Sequence, residues 1–408
     1  MMSAEHDILS PDNLRDPYPY FAQMRQHAPV HWNENYRAWF VYRYDDVVGA
    51  LRDPAFSSDR IRPAGDKLSD EDRASREPIY DILEHWMVFN DPPAHSRLRK
   101  LVQPAFTPRA VERMRPRVEQ VVADTLRSLE GRTEFDYVRD FAFPIPAVVI
   151  AELMGVPVED RDRFKAWSDD IVMLVFGAAG TADRRERAQA ALVELADYMR
   201  ALAALATRAE PDDTLVSRIV HSHEVDPPLS MEEVVSTLVL LLFGGHETTT
   251  NLIANGARAL TRNPDQWELM KKNPSAVDGA VEEVLRLDGP AKMEVRRLVA
   301  DVEMHGQHLR AGQIVYLVQG SANRDESVFD RPDVMDITRH PNRHIGFGFG
   351  LHHCLGNFLA RLEGQVVFRA VAEALPDLEA VPGGDSWHPT LISRGMTEFK
   401  VRTSGVRL

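Results

Sequence analysis

A single cysteine, Cys354, stands in the run FGFGLHHCLG at positions 347–356. A lone cysteine cannot form a disulfide within the chain, and a structural zinc site needs several thiols or suitably spaced histidines. We therefore expect Cys354 to act as one sulfur ligand or as one nucleophile. Gly348, Gly350 and Gly356 permit backbone conformations and close approaches that a β-carbon would block, which predicts that a flat or bulky group lies against this loop.

The residues that follow, LGNFLARLEGQVVFRAVAEAL, place apolar side chains at helical spacing from about Leu355. Cys354 is thus predicted at a helix N-terminus, where free amides and the helix dipole favour a thiolate. An inert buried cysteine is the plain alternative. A zinc site built from His352, His353 and Cys354 is disfavoured because adjacent side chains diverge.

A second unusual segment is a long predicted helix over residues 231–260. The run SMEE at 230–233 has the pattern of a capping box, which starts a helix. Its middle contains Gly244 and Gly245, and each glycine inside a helix costs about 1 kcal/mol relative to alanine. The pair therefore predicts a groove on one face of the helix. Thr248 is expected to bond the carbonyl of Gly244, which bends the helix.

Together these segments carry a family resemblance. The loop matches FGxGxHxCxG and the helix matches glycine-glycine-x-acid-threonine, so the chain resembles the cytochromes P-450, the haem-thiolate monooxygenases. The resemblance implies haem b (iron protoporphyrin IX) as cofactor, with Cys354 as the metal ligand in its thiolate form. It gives Thr248 the alcohol role of ordering bound dioxygen and water, and Glu247 the acid role in proton delivery. His246, between these positions, is expected to face away.

Buried haem propionates need cations or strong donors around them. His95 and Arg99 are four residues apart and share one helical face. The resemblance makes them a propionate pair, and it places Arg296 and His344 at two further propionate positions, with Arg297 as the neighbouring alternative. The expected cofactor contacts are His95, Arg99, Arg296, His344, His352, Cys354 and Gly244.

Glu283 and Arg286 match the ExxR element of the same family, which we interpret as structural. An acid and a base three apart lie on one helical face. In the family a third partner, commonly an arginine before the cysteine loop, completes this network. Val334 stands where that arginine is often found, so Arg339 or Arg331 is expected to substitute.

The implied fold is mainly α with a smaller β-rich part, a cytochrome P-450 fold that holds haem between a long distal helix and the cysteine loop. We expect one domain over residues 1–408. Apolar, β-prone segments at 29–32 and 39–42 predict a strand pair. Further strands are expected at 300–305, 314–318 and 398–402, and further helices at 109–129, 184–208 and 275–287.

Composition excludes some classes of function. The formal net charge of −14 argues against a nucleic-acid binder. The start MMSAEHDILSPDN lacks the basic and apolar regions of a signal peptide, and the longest apolar run, Leu238 to Phe243, is far below the roughly 18 residues that span a bilayer. We expect a soluble, cytoplasmic monomer with no membrane or nucleic-acid partner.

The implied reaction inserts one oxygen atom from O2 into a lipophilic small molecule, by hydroxylation or epoxidation. A natural product of secondary metabolism, such as a polyketide, terpenoid or steroid-like compound, is the expected substrate. The remaining sequence has no room for a flavin or iron-sulfur domain, so electrons from NAD(P)H are expected through a separate ferredoxin and ferredoxin reductase. These would dock on the cysteine side, where Arg97, Lys100, Arg343 and Arg361 are expected to form a basic patch.

Three other functions compete with this one. Peroxide-driven oxygenation would bypass the redox partners, but specialised relatives generally replace the pair found here as Glu247 and Thr248. A non-catalytic haem sensor would have no need of those groups. Without haem, a thiol enzyme using Cys354 with His352 or His353 would remain.

The resemblance places the substrate pocket near residues 61–89, 173–176 and 291–295. The expected pocket contacts are Met87, Val88, Leu240, Phe243, Lys292, Val295 and Ile392. Strand alternation puts Lys292, Glu294 and Arg296 on one face. A buried unpaired ammonium is costly, so Lys292 must be paired, neutralised or extended to water. We expect it to meet an acceptor on the substrate, such as a carboxylate or carbonyl, and the alternative is a side chain that points to solvent.

Overall fold

The computed structural model describes residues 7–66, 69–177, 182–222 and 226–407. Most of these residues are helical. The α-helices are α1 Pro11–Arg15, α2 Tyr18–His27, α3 Tyr44–Arg52, α4 Ile61–Gly65, α5 Asp70–Leu83, α6 Ala94–Val102, α7 Pro108–Glu112, α8 Arg115–Ser128, α9 Pro144–Met154, α10 Arg161–Val175, α11 Ala182–Arg208, α12 Leu215–Val220, α13 Met231–Arg262, α14 Pro264–Lys272, α15 Val277–Asp288, α16 Gln319–Ala322 and α17 Asn357–Ala374. Short 3-10 turns include Met87–Phe89 and Gly350–His352.

The strands form three sheets. They are β1 Val30–Asn33, β2 Ala38–Val41, β3 Phe56–Ser57, β4 Glu134–Asp136, β5 Glu294–Leu298, β6 Val302–Met304, β7 Gln307–Leu309, β8 Ile314–Leu317, β9 Glu379–Trp387 and β10 Met396–Arg402. The largest sheet has the order β1-β2-β8-β5-β3, a second has β4-β10-β9, and β6 pairs with β7. The predicted strand pair is confirmed, because β1 and β2 are antiparallel with Val30 opposite Val41.

The helix predicted over residues 109–129 is wrong as a single element. The structure has α7 and α8 there, and Pro116 lies in the first turn of α8. Proline lacks the amide hydrogen of a helix interior and is tolerated in a first turn, so the chain ends one helix and starts another. The segment at 275–287 likewise begins as a 3-10 turn, Pro274–Ala276, before α15.

The long helix α13 runs through the centre of the helical part. Ser230 Oγ accepts from the amide of Glu233 at 3.2 Å, and the Glu233 carboxylate accepts from the Ser230 amide at 2.9 Å, so the predicted capping box is present. The helix packs against α9, α11, α15 and α17. It therefore places the Gly244–Thr248 stretch in the interior.

Helix α17, which follows Cys354, crosses α13 at close range. A β-carbon on Gly256 of α13 would lie 2.2 Å from Cζ of Phe368 on α17. Real atoms do not approach so closely, so only glycine permits this crossing. The contact fixes the spacing between the helix after Cys354 and the helix that carries Thr248.

The apolar core continues from the helices to both faces of the large sheet. Alternate residues of β8 join different clusters: Val315 and Leu317 pack with residues of α3, and Tyr316 packs with residues of α2. Within the described part of the chain, every helix is too short or too polar to cross a lipid bilayer.

Candidate active site

The cysteine loop is held by its own backbone. The Cys354 amide donates to the Phe347 carbonyl at 2.9 Å, and the Asn357 side chain donates to the Cys354 carbonyl at 2.8 Å. Gly348 and Gly350 have φ of +71° and +73°, which disfavours any residue with a β-carbon. The glycines therefore have the backbone role that the sequence predicted.

The thiol of Cys354 lies three residues before α17. Burial raises the pKa of Cys354 above its usual value, while the Gly356 amide and the charges of Arg99 and Arg361 act in the opposite direction. The Gly356 amide and the two arginines act in the direction that the sequence predicts for this helix N-terminus, and burial acts against them. Among the described residues, no group of three or more His, Cys, Asp or Glu side chains could hold a metal ion.

A cavity of about 310 Å³ lies between α13 and the cysteine loop. Cys354 lines one side of it, and Gly244 and Thr248 line the other. The remaining lining is largely apolar. It includes Met87, Val88, Phe106, Ile150, Leu240, Leu241, Leu252, Leu285, Leu355 and Leu359.

The adjacent glycines Gly244 and Gly245 of α13 serve different purposes. A β-carbon on Gly244 would meet no other side chain or distant backbone within 4 Å, so it would project into the cavity. A β-carbon on Gly245 would lie 2.6 Å from Ile150, so this glycine lets α9 approach. Thr248 Oγ1 donates to the Gly244 carbonyl at 3.1 Å, which confirms the predicted bond.

Glu247 is buried and is absent from the cavity lining, because adjacent helical residues point about 100° apart. Its carboxylate accepts from Asn251 Nδ2 at 3.3 Å. Burial raises the pKa of Glu247 to about 7; among the smaller effects, Lys165 lowers this pKa and Asp169 raises it. This carboxyl group can therefore gain or lose a proton near neutral pH.

His246 faces away from the cavity, as expected. Its Nδ1 donates to the Leu242 carbonyl at 2.7 Å, and its ring meets Phe143 edge to face. Burial lowers the pKa of His246 to about 4, so the ring is neutral.

His95 and Arg99 both line the cavity on the cysteine side, with His352 beside them. The His95 and His352 ring centroids are 4.3 Å apart. Burial lowers the pKa of His95 to about 4 and that of His352 to about 3, so both rings are neutral donors. Arg99 donates to the His353 carbonyl at 2.7 Å and is the cation of this group.

Two expected propionate contacts are engaged elsewhere. Arg296 is absent from the cavity lining and pairs with Glu294 at 2.5 Å. His344 donates from Nε2 to Glu282 at 2.8 Å and accepts the Gly346 amide on Nδ1 at 3.1 Å. Both ring nitrogens of His344 therefore have protein partners in this arrangement, and its contact with a propionate stays a prediction.

The alternative, Arg297, is turned from the cavity. It lies one residue further along β5 than Arg296, and its Nε donates to the Asp59 carbonyl at 2.9 Å. Of these two neighbouring residues, Arg296 therefore remains the preferred candidate for a propionate contact.

The Glu283–Arg286 pair is fully buried, with Nη2–Oε1 at 2.8 Å. Arg286 also donates to the carbonyls of Asn323 and Pro332. Arg339 contacts Glu283 at 3.3 Å, whereas Arg331 is directed to Asp330 and Asp336. Arg339 is therefore the third member of this network.

The expected pocket contacts divide into two groups. Met87, Val88 and Leu240 line the cavity, whereas Phe243, Lys292, Val295 and Ile392 are absent from its lining. Phe243 lies behind it, 6.1 Å from the Trp86 ring and 5.5 Å from the Phe176 ring. Residues 67–68, and the side chains of residues 70–75 and 173, lie outside the described part of the chain.

Lys292 is paired within the protein and does not extend to solvent. Its side chain is buried, and Nζ donates to the Thr390 carbonyl at 2.7 Å. Its amide also donates to the Ile392 carbonyl at 2.7 Å. Lys292 thus ties the turn at 388–394 to the segment before β5, and the prediction that its ammonium enters the pocket is wrong for this conformation.

Sequence analysis did not identify some of the residues that line the cavity. Ile150 and Phe106 belong to apolar segments with no distinguishing pattern, so no signal in the sequence would have selected them. Gln319 also lines the cavity, and its amide donates to the Glu294 carboxylate. A polar residue directly after an apolar strand was the one feature of the sequence that could have identified it.

The basic patch expected on the cysteine side is weaker than its sequence suggests. Arg361 pairs with Glu282 at 2.6 Å, and Arg97 pairs with Glu233. Two of the four expected cations are thus balanced by carboxylates.

The residues around the cavity fit haem. His95 Nδ1 is buried and has no hydrogen-bond partner among the described residues, although it lies beside Arg99 where an anionic group would be bound. Gly244 and Gly356 border the cavity from opposite sides, and a β-carbon on either would occupy it. The cavity has one sulfur ligand, hydrogen-bond donors for an anion at its edge, and apolar walls. This set matches the chemistry of a haem with two propionates.

Known proteins resemble this chain along most of its length. The sequence model of the family "Cytochrome P450" matches residues 32–374. Cytochrome P450 CYP107DY1 of Priestia megaterium is 38% identical over 91% of this chain and 92% of its own length. The polyketide biosynthesis cytochrome P450 PksS of Bacillus subtilis is 36% identical over 95% of this chain and 96% of its own length.

Among solved structures, P450BioI in complex with an acyl carrier protein ligated to hexadec-9Z-enoic acid has a TM-score of 0.89 and 32% identity. The match covers 96% of this chain and 99% of that one. Sequence, fold and the cysteine-lined cavity agree, and the chain belongs to the cytochrome P450 family.

Proposed function

We propose that this haem-thiolate monooxygenase inserts one oxygen atom from O2 into a lipophilic small molecule, by hydroxylation or epoxidation. The proposal rests on family membership and on one observation: the only cysteine of the chain lines a cavity whose opposite side carries Gly244 and Thr248. The walls between them are apolar, which favours a lipophilic substrate.

Cys354 would hold the iron of haem b, while His95, Arg99 and His352 would donate to its propionates. Arg296 would join them if it released Glu294. Haem supplies the iron on which dioxygen is bound and activated. The protein groups supply one sulfur ligand, a positive charge at the cavity edge and an apolar enclosure that excludes water.

Thr248 would position the proton donor at the oxygen-binding side. Its hydroxyl donates to the Gly244 carbonyl, so its oxygen can still accept a hydrogen bond, and the residue lines the cavity. Glu247, whose pKa is about 7, would supply protons from behind this helix through water, since its side chain is outside the cavity lining. The two residues thus have separate tasks, one of orientation and one of supply.

Two relatives support one substrate class. PksS is named for polyketide biosynthesis, and the P450BioI structure contains a long-chain acyl group on a carrier protein. A polyketide or another long apolar acyl compound is therefore the substrate that we propose. We further propose a cytoplasmic monomer that receives electrons from a separate ferredoxin and its reductase.

The thiolate spectrum tests this function. The reduced, carbon-monoxide-bound protein should show the red-shifted Soret band of thiolate-ligated haem. Cys354→Ala should lose that band, because the chain has no other cysteine. If the band persisted in Cys354→Ala, the assignment of the iron ligand would be wrong.

A further inference from the structure

Arg60 is a cation with no counterion among the residues that the structure describes. It precedes α4 and is partly buried, and its Cζ lies 4.6 Å from the ring centroid of Phe89. This stacking is its one specific contact within the described residues, where no carboxylate or carbonyl bonds its guanidinium. The adjacent Asp59 is directed to Arg62, at 3.8 Å.

The charged and polar groups around Arg60 do not balance it. Glu294 is the nearby carboxylate, but it already binds Arg296 and Gln319. Tyr316 is a neutral phenol whose pKa is raised by burial. Burial lowers the pKa of Arg60 to about 10, so the guanidinium still carries its charge at neutral pH. A partly buried guanidinium with no bound carboxylate can accept an anion as its partner.

Arg60 is close to the cavity described above, although it is not one of its lining residues. Phe89 ends the turn in which Met87 and Val88 line that cavity, and Glu294 lines it from the sheet side. Arg60 lies just outside these lining residues and remains partly accessible to solvent. A cation between an apolar cavity and water suits a ligand with an apolar body and an anionic end.

We propose that Arg60 binds the carboxylate of an acidic substrate whose apolar chain extends into the cavity toward Cys354. The inference rests on the proposed function and names the substrate class of the same site. A guanidinium can hold a carboxylate through two parallel N–H···O bonds, which gives orientation as well as affinity. Haem propionates already have His95, Arg99 and His352 in the cavity lining, so Arg60 is available for the substrate.

The test compares a long-chain fatty acid with its methyl ester, which has the same chain but no charge. Binding of each to the haem-loaded protein is followed by the Soret difference spectrum. The wild type should bind the acid more tightly than the ester. Arg60→Gln should weaken binding of the acid about tenfold or more and leave the ester almost unchanged, because only the acid loses a charged hydrogen bond. Arg60→Lys should restore part of the preference.

Arg62→Gln is the matched control, since Arg62 lies two residues away and already faces Asp59. It should keep the preference for the acid. An equal effect of Arg60→Gln on acid and ester, or none on either, would overturn the inference. Loss of haem from Arg60→Gln with the acid preference intact would assign Arg60 to a propionate and also overturn it. The carbon-monoxide spectrum is read on every variant, so a failed iron assignment is recognised separately.

Discussion

Replacing Lys292 by methionine should change how the stability of the protein depends on pH. The Lys292 ammonium is buried, and its Nζ bonds the Thr390 carbonyl at 2.7 Å. Burial is the largest effect on this group and, with the charge of Arg394, lowers its pKa from 10.5 to about 7, while Asp288 acts in the opposite direction. Methionine keeps an apolar chain of similar length and removes the titrating group.

The sign follows from proton binding. Above pH 7 the folded protein leaves Lys292 neutral, while the unfolded chain still takes up a proton until about pH 10.5. The unfolded state then binds more protons, so the free energy of unfolding of the wild type rises with pH by about 1.4 kcal/mol per pH unit from this residue. Lys292→Met lacks this gain. Between pH 7 and pH 9 the variant should therefore lose roughly 2–3 kcal/mol relative to the wild type.

Below pH 7 a different effect determines the difference in stability between Lys292→Met and the wild type. The wild type then buries a charged ammonium, and methionine removes that cost while losing one hydrogen bond worth about 1 kcal/mol. The stability of the variant relative to the wild type should therefore be highest at low pH. Every other titrating group is common to both proteins and cancels in the difference.

Urea midpoints of the haem-loaded proteins, measured at several pH values from 6 to 9, give this difference. Lys272→Met is the matched control, because the Lys272 side chain is 77% exposed and its replacement should give no such slope. A difference between Lys292→Met and wild type that stayed constant across this range would refute the reasoning about the buried ammonium.

Two further predictions concern α13. Thr248→Ala should keep the thiolate spectrum and lower the product formed per NAD(P)H several-fold, with reducing equivalents lost to peroxide or water; unchanged coupling would move the role to Thr249 or to water alone. Gly244→Val should weaken binding of bulky ligands, measured by Soret titration, with little loss of stability, because the added atoms enter the cavity. Gly245→Val should instead lower the free energy of unfolding by roughly 1–3 kcal/mol, measured from urea midpoints, because its β-carbon meets α9. Equal behaviour of the two valine variants would contradict the assignment of the two faces.

Features of the fold that depend on residues close together in the sequence could be predicted. The capping box at Ser230 depends on residues three apart, and the strand pair at β1 and β2 depends on a short turn, so both could be predicted from neighbours in sequence. The Thr248 bond to Gly244 is likewise confined to one helical turn. These features need no knowledge of the rest of the chain.

Long-range choices of partner could not be predicted in this way. His344 binds Glu282, 62 positions away, and Lys292 binds Thr390, 98 positions away. Each side chain had several chemically suitable partners, and only the packed fold selects one. The misplacement of Phe243 has a simpler cause: Leu240, Gly244 and Thr248 are four apart and share one face of α13, whereas Phe243 is turned about 100° from Gly244.

The crossing of α13 and α17 at Gly256 matters for anyone who wishes to redesign the substrate range of this protein. Phe368 meets the backbone of Gly256, so the distance between the two helices is set by a contact that lies away from the lining residues. Random libraries that replace Gly256 with larger residues would push the two walls apart and change the binding of every ligand at once. Libraries that hold Gly256 and Phe368 constant, and vary only Met87, Val88 and Leu240, would instead explore different substrates on a wall spacing that stays the same.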